Sequence, residues 1–103
     1  MTRPARLGAR EAQERLAALK GWAIEGDTLA RTYAFKDYHQ TMAFVNAVAW
    51  IAHRADHHPD LAVGYNRCRV VWSTHDAGGL TEYDFACAAQ CDALLANPLP
   101  ANR

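Results

Sequence analysis

The chain has no net charge: eleven Lys and Arg stand against eleven Asp and Glu in 103 residues. It therefore lacks the concentrated positive field with which proteins meet nucleic acid or an anionic membrane, and neither is expected as a partner. Cysteine is scarce, three in all and in no regular framework. That excludes a disulfide scaffold and fits a reducing compartment in which thiols stay free. Cys87 and Cys91, four apart in an apolar helical run, read as small core residues. No apolar run is long enough to span a bilayer. The first ten residues carry arginines and no acid but pass straight into helix-forming sequence, so no secretory leader is assigned and the cytoplasm is the expected compartment. Gly78-Gly79 lacks the spaced glycines of a phosphate or dinucleotide loop. Without repeats or low-complexity linkers, residues 1–103 are expected to form one domain, with flexible ends at 1–9 and 97–103.

What the chain does have is histidine, five in number, and two of them adjoin at His57-His58-Pro59. Imidazole is the side chain that both gives and takes a proton near neutral pH, so such a pair suggests proton-transfer chemistry. Pro59 cannot continue a helix and biases His58 away from the α region, which stops the preceding helix at about His57. Histidines at a helix C-terminus can also simply complement the helix dipole.

Helical spacing of Ala12, Leu16 and Leu19 predicts a first helix from Arg10 to Lys20, with Gly21 as its stop. Alternation then predicts two strands, Trp22 to Glu25 and Leu29 to Phe35, joined by a turn at Gly26-Asp27. Asp37 is placed to cap a second helix from Tyr38 to Asp56, apolar nearly all round between Met42 and Ala52. A second hairpin follows, Leu61 to Tyr65 and Cys68 to Thr74, turning at Asn66-Arg67 and ending at His75. A glycine-bearing loop leads to Thr81, the expected cap of a third helix through Leu95, with Asp84 where a capping-box acid would stand. The order is α-β-β-α-β-β-α. It implies an α+β sandwich, a four-stranded antiparallel sheet with the helices packed on one face. The unpaired sheet edges and the apolar second helix point to a homodimer or homotetramer.

His57, His58, His75 and Asp84 all fall at element ends, which one rim of a sheet can gather into a pocket. His57-His58-Pro59, five residues to Tyr65, nine to His75 and eight to Asp84 resembles the signature of the pterin-4a-carbinolamine dehydratases. Gly21-Trp22, the Phe35 to Phe44 spacing and Ser73-Thr74-His75 extend the resemblance over residues 10 to 95. It implies dehydration of 4a-hydroxytetrahydrobiopterin or a related pterin without a cofactor or metal, recycling the pterin of an aromatic amino acid hydroxylase. The resemblance also implies that His57 and His75 transfer protons, His58 binds and orients the pterin, and Asp84 orients a histidine, His75 being the expected one. Pro59, Ser73, Thr74 and Trp22 would contribute to substrate binding. Two positions depart from the pattern: His53 stands where many relatives carry glutamate, and Leu61 where an aromatic residue is common.

Two other readings compete. His53 and His57 share a helix face, and His75 could complete a three-histidine zinc site, although no glutamate stands between the pair as in a zincin motif. Alternatively the same fold could serve as a dimerisation or assembly partner without catalysis, as some family members do.

Overall fold

Side chains alternate across a strand, and here the alternation sorts the apolar residues onto one face. Leu29, Tyr33, Cys68, Val70 and Trp72 are all buried. In the computed structural model, which describes residues 5–96, the elements are α1 (Ala9–Leu16), β1 (Ala23–Glu25), β2 (Thr28–Ala34), α2 (Tyr38–Ala55), β3 (Asp60–Val63), β4 (Arg67–Trp72) and α3 (Glu82–Ala96). The strands form one antiparallel sheet in the order β1-β2-β4-β3. Leu29 lies opposite Trp72, and Tyr33 opposite Cys68. The buried sheet face joins Phe44, Val48 and Ile51 of α2 and Phe85, Ala88 and Cys91 of α3 in a single core. The opposite face carries the Glu25–Arg69 ion pair at 2.6 Å and exposed Thr32 and Ala34. The expected α+β order, with the helices on one face, is what the chain adopts. No helix among the described residues is long and apolar enough to cross a membrane.

The boundaries differ in instructive places. α1 ends at Leu16, four residues before the expected Lys20. Beyond it, Ala18 and Leu19 donate to carbonyls three residues back, tightening the chain into turns. Gly21 completes the reversal at φ +92°, where any Cβ would also press on the Arg31 guanidinium. In the second hairpin, β3 stops at Val63, and the turn is closed by Gly64 N–H donating to the Arg67 carbonyl at 2.8 Å. Tyr65 consequently lies in the turn, exposed, stacked on Tyr38. Of the ends expected to be flexible, residues 1–4 and 97–103 lie outside the described part. Leu7, however, is tied down, its N–H donating to the Leu80 carbonyl at 2.8 Å.

Away from the histidines, Asp92 on α3 organises a polar knot. It accepts from the Trp22 indole N–H (3.0 and 3.1 Å), from Arg31 at 2.9 Å and from the Tyr33 hydroxyl. Burial, reinforced by Asp92, pushes the Tyr33 hydroxyl well above its usual range. Burial also pushes the Cys91 thiol up to about 12 and raises Cys68, so these thiols remain neutral core residues.

Asp92→Ala strands the buried donors of Trp22 and Tyr33 and is expected to lower stability by about 2–3 kcal/mol, read as a fall in the urea midpoint at constant m; a variant as stable as the parent would show that the knot contributes nothing. At the end of α2, Asp56 is the one described non-glycine residue with positive φ, at +50°. Asp56→Val should therefore cost about 1–2 kcal/mol by forcing a β-branched residue into the left-handed region, whereas Asp56→Gly should keep the melting temperature; the two melting curves side by side decide this.

Candidate active site

The helix stop foreseen at His57 takes a definite form. Ala55 is the last residue of α2, Asp56 enters the left-handed region, its N–H donates to the His53 carbonyl (3.3 Å), and the His57 N–H donates to the Ala52 carbonyl (3.1 Å). This six-to-one, five-to-two pairing is a Schellman motif. It reverses the chain so that His57 folds back under the helix end, and Pro59 then carries the backbone into β3. His57 is only 4% exposed. Its ring lies nearly parallel to Trp72 (5.5 Å between centroids, 14°) and edge-on to Tyr83 (6.1 Å).

Asp84, in the first turn of α3, meets it from the other side. The carboxylate is fully buried, with Oδ1 2.6 Å from His57 Nε2. Its Oδ2 accepts from the Thr74 hydroxyl at 2.7 Å and from the Thr81 N–H at 2.9 Å. A carboxylate facing a ring nitrogen at this distance is an acceptor, so the imidazole proton belongs on Nε2. With the Thr74 proton directed to Asp84, the 3.0 Å contact between the two threonine hydroxyls requires Thr81 to donate to Thr74. The Tyr83 N–H donates to Thr81 Oγ1 at 3.2 Å. Asp84 thus supplies the carboxylate half of the capping box that the sequence suggests, the Thr81 hydroxyl taking the Tyr83 N–H in place of that of Asp84, and the same carboxylate also holds a histidine.

Above this floor is an open pocket of about 170 Å³ lined by His57, His58, Ser73, Thr74, His75 and Asp76. His58 and His75 are exposed at its sides, and the Ser73 hydroxyl is 3.5 Å from His75 Nε2. Five of the residues expected at the site therefore line one pocket, and Asp84 supports it from beneath.

Several expectations are corrected. Asp84 pairs with His57, not with His75, because the Schellman reversal turns His57 toward the start of α3 while His75 begins a short 3₁₀ turn (His75–Ala77) at the surface. His57 belongs to the floor of the pocket, not its rim. Trp22 does not line the pocket: it is buried just before β1 with its indole N–H committed to Asp92. The three-histidine zinc arrangement is not assembled, since His53 is exposed on α2 and stacked on Trp50. Among the described residues no group of three His, Cys, Asp or Glu side chains could hold a metal ion. Sequence reasoning missed Trp72 and Tyr83, the rings around His57. Their signal was weak, a strand-end tryptophan and a tyrosine two residues after a helix cap, both ordinary core signatures.

The family model described as pterin 4 alpha carbinolamine dehydratase matches residues 5–94. A protein of Nitrosomonas eutropha named "Putative pterin-4-alpha-carbinolamine dehydratase" is 57% identical over 86 residues, covering 82% of this chain and 76% of its own length. One of the same name from Stenotrophomonas maltophilia is 57% identical over 91 residues, covering 86% and 78%. A crystal structure of a transcriptional coactivator/pterin dehydratase from Brucella melitensis superposes with a TM-score of 0.83 at 36% identity, over 86% of this chain and 97% of that one. A pterin dehydratase-like protein identified as a RuBisCO assembly factor in the alpha-carboxysome superposes at 0.59 with 28% identity, over 71% and 84%. With a shared fold, a matching family model and close relatives over most of its length, the chain belongs to the pterin-4a-carbinolamine dehydratase family.

Proposed function

We propose that this protein is a carbon–oxygen lyase that dehydrates 4a-hydroxytetrahydrobiopterin, or a closely related pterin 4a-carbinolamine, to the quinonoid dihydropterin and water. The observation that carries the reading is the buried His57–Asp84 pair under a pocket flanked by His58 and His75. In the reaction the C4a–O bond breaks with its electron pair, the hydroxyl departs as water after taking a proton, and N5 gives up its proton as the C4a=N5 double bond forms. One general acid and one general base suffice, and imidazoles serve as either near neutral pH. His57 and His75 are assigned the two proton transfers, and His58 holds the pterin. Asp84 acts through His57, fixing its tautomer and ring direction. Ser73 and Thr74 line the pocket around the substrate; Pro59, expected there too, is not in its lining and acts only by directing the chain from His58 into β3. The product would be reduced and reused by an aromatic amino acid hydroxylase, the functional link that the family suggests.

Self-association belongs to the same proposal. β1 and β3 are sheet edges with unpaired backbone groups, and Val63 on β3 is an exposed apolar residue. Trp50, 60% exposed on α2, offers a second apolar surface. Pairing of two copies, or four, would cover both.

Dehydration of the 4a-carbinolamine, generated by a hydroxylase and followed against the uncatalysed rate, tests the assignment. His57→Gln, which keeps volume and a donor beside Asp84, and His75→Ala should each lower kcat by roughly 10²-fold or more; His58→Ala should mainly raise KM. Unchanged rates in both of the first two variants would sink the reading. Asp84→Asn should lower kcat by at least about ten-fold and shift the pH profile, because an amide can present a donor to Nε2 and favour the wrong tautomer. It should also cost about 1–3 kcal/mol, since the amide oxygen cannot serve all three donors. A variant with the parent's pH profile would show Asp84 to be a helix cap alone.

A further inference from the structure

The His57 side chain is held at two points. It leaves the backbone just beyond α2, and its Nε2 meets Asp84 Oδ1 at 2.6 Å. A ring pinned only there still rocks about the line between the two points. Rocking swings Nδ1, which lies off that line, through an arc. With the imidazole proton on Nε2, Nδ1 is the nitrogen that would exchange a proton with a substrate in the pocket. Asp84 thus fixes the tautomer and one end of the ring, and the ring plane needs a further constraint.

Trp72 supplies it. Its indole lies against the imidazole with centroids 5.5 Å apart and planes within 14°, the offset-parallel arrangement in which aromatic rings attract. Trp72 ends β4, opposite Leu29, and has no exposure to solvent, so the close-packed core holds it in place. Tyr83 adds an edge contact at 66°. Two residues beyond Trp72, Thr74 donates to Asp84 at 2.7 Å. One strand end therefore braces both members of the His57–Asp84 pair.

A second observation separates this role from stability. The Trp72 indole N–H is the one buried side-chain polar atom among the described residues without a hydrogen-bond partner, and it is directed at the Cys91 thiol, a weak acceptor. Trp22, by contrast, has its N–H taken up by Asp92. A buried N–H left unmet weakens the fold. An aliphatic side chain would fill the core without that cost, but it would offer no flat face to the imidazole.

We propose that Trp72 is a positioning residue for the dehydration, its indole face holding the plane of the His57 ring and with it the direction of proton transfer. The proposal rests on the dehydratase reading for the transfer itself.

The test compares full-length wild type, Trp72→Leu, Trp72→Phe and a core control, Phe44→Leu, whose ring packs on Tyr33 and Phe35. Dehydration kinetics are measured beside the far-downfield proton resonance of the short His57 Nε2–H bond, identified by its loss in His57→Gln. Trp72→Leu should lower kcat about ten-fold, with KM within about two-fold of wild type, and should broaden or shift that resonance. Trp72→Phe, which restores a flat face, should recover most of the rate, and Phe44→Leu should keep both rate and resonance. Should Trp72→Leu not fold, Trp72→Met, which fills more of the space without an aromatic face, is read in the same way. A wild type that dehydrates the substrate and an aliphatic variant as fast as it would overturn this role alone, as would an equal loss of rate in Phe44→Leu. A wild type no faster than buffer would overturn the dehydratase reading and this role with it.

Discussion

Everything at the histidine end of the molecule depends on one buried carboxylate. Asp84 has no exposure to solvent and remains tolerable there because it accepts from an imidazole, a hydroxyl and a backbone N–H. Those three donors come from three places in the chain: the second residue after α2, the exit of β4 and the start of α3. Satisfying one charge thus fixes three chain segments relative to one another. The pocket is what lies between them. Removing any partner would leave the carboxylate short of a bond in a low-dielectric interior, so folding and the site share a single requirement.

The molecule has a second polar node at Asp92, and the contrast between the two is informative. Asp92 also gathers donors, Trp22 from the entrance to β1 and Arg31 and Tyr33 from β2, but none of them lines the histidine pocket. It joins α3 to β1 and β2 and exposes no proton-transfer group. Asp84, by contrast, lies under an opening in which two further imidazoles stand. A polar network acts in chemistry only where it also reaches a ligand. The similarity to a carboxysomal assembly factor at a TM-score of 0.59 shows that the scaffold itself is compatible with other work; what supports catalysis here is the side-chain constellation.

Much of the fold was legible because its cues are local. The 3.6 and 2.0 periodicities located the elements, Asp37 capped α2 as expected by accepting from the Gln40 N–H at 2.9 Å, and Gly26-Asp27 made the first turn. The errors are local too. Nothing in Ala17 to Lys20 distinguishes a continuing helix from tightened turns, because the residues are good helix formers, and the contact of Gly21 with Arg31 is made only when β2 packs beside it. Trp22 shows the same limit. Its indole could be assigned to a pocket wall or to the core from sequence, and Asp92, 70 residues away, decides the matter.

Residue type and near-neighbour spacing were enough to read the element order, the buried thiols and the gathering of imidazoles at the ends of elements. Only the tertiary structure decided which histidine Asp84 holds. That choice depends on the left-handed turn at Asp56 folding His57 beneath α2 while the chain after Thr74 carries His75 out to the surface. The pairing joins residues 27 apart in sequence. No local propensity records it, because the energy that selects it is the desolvation of one carboxylate, which exists only once the core has closed around it.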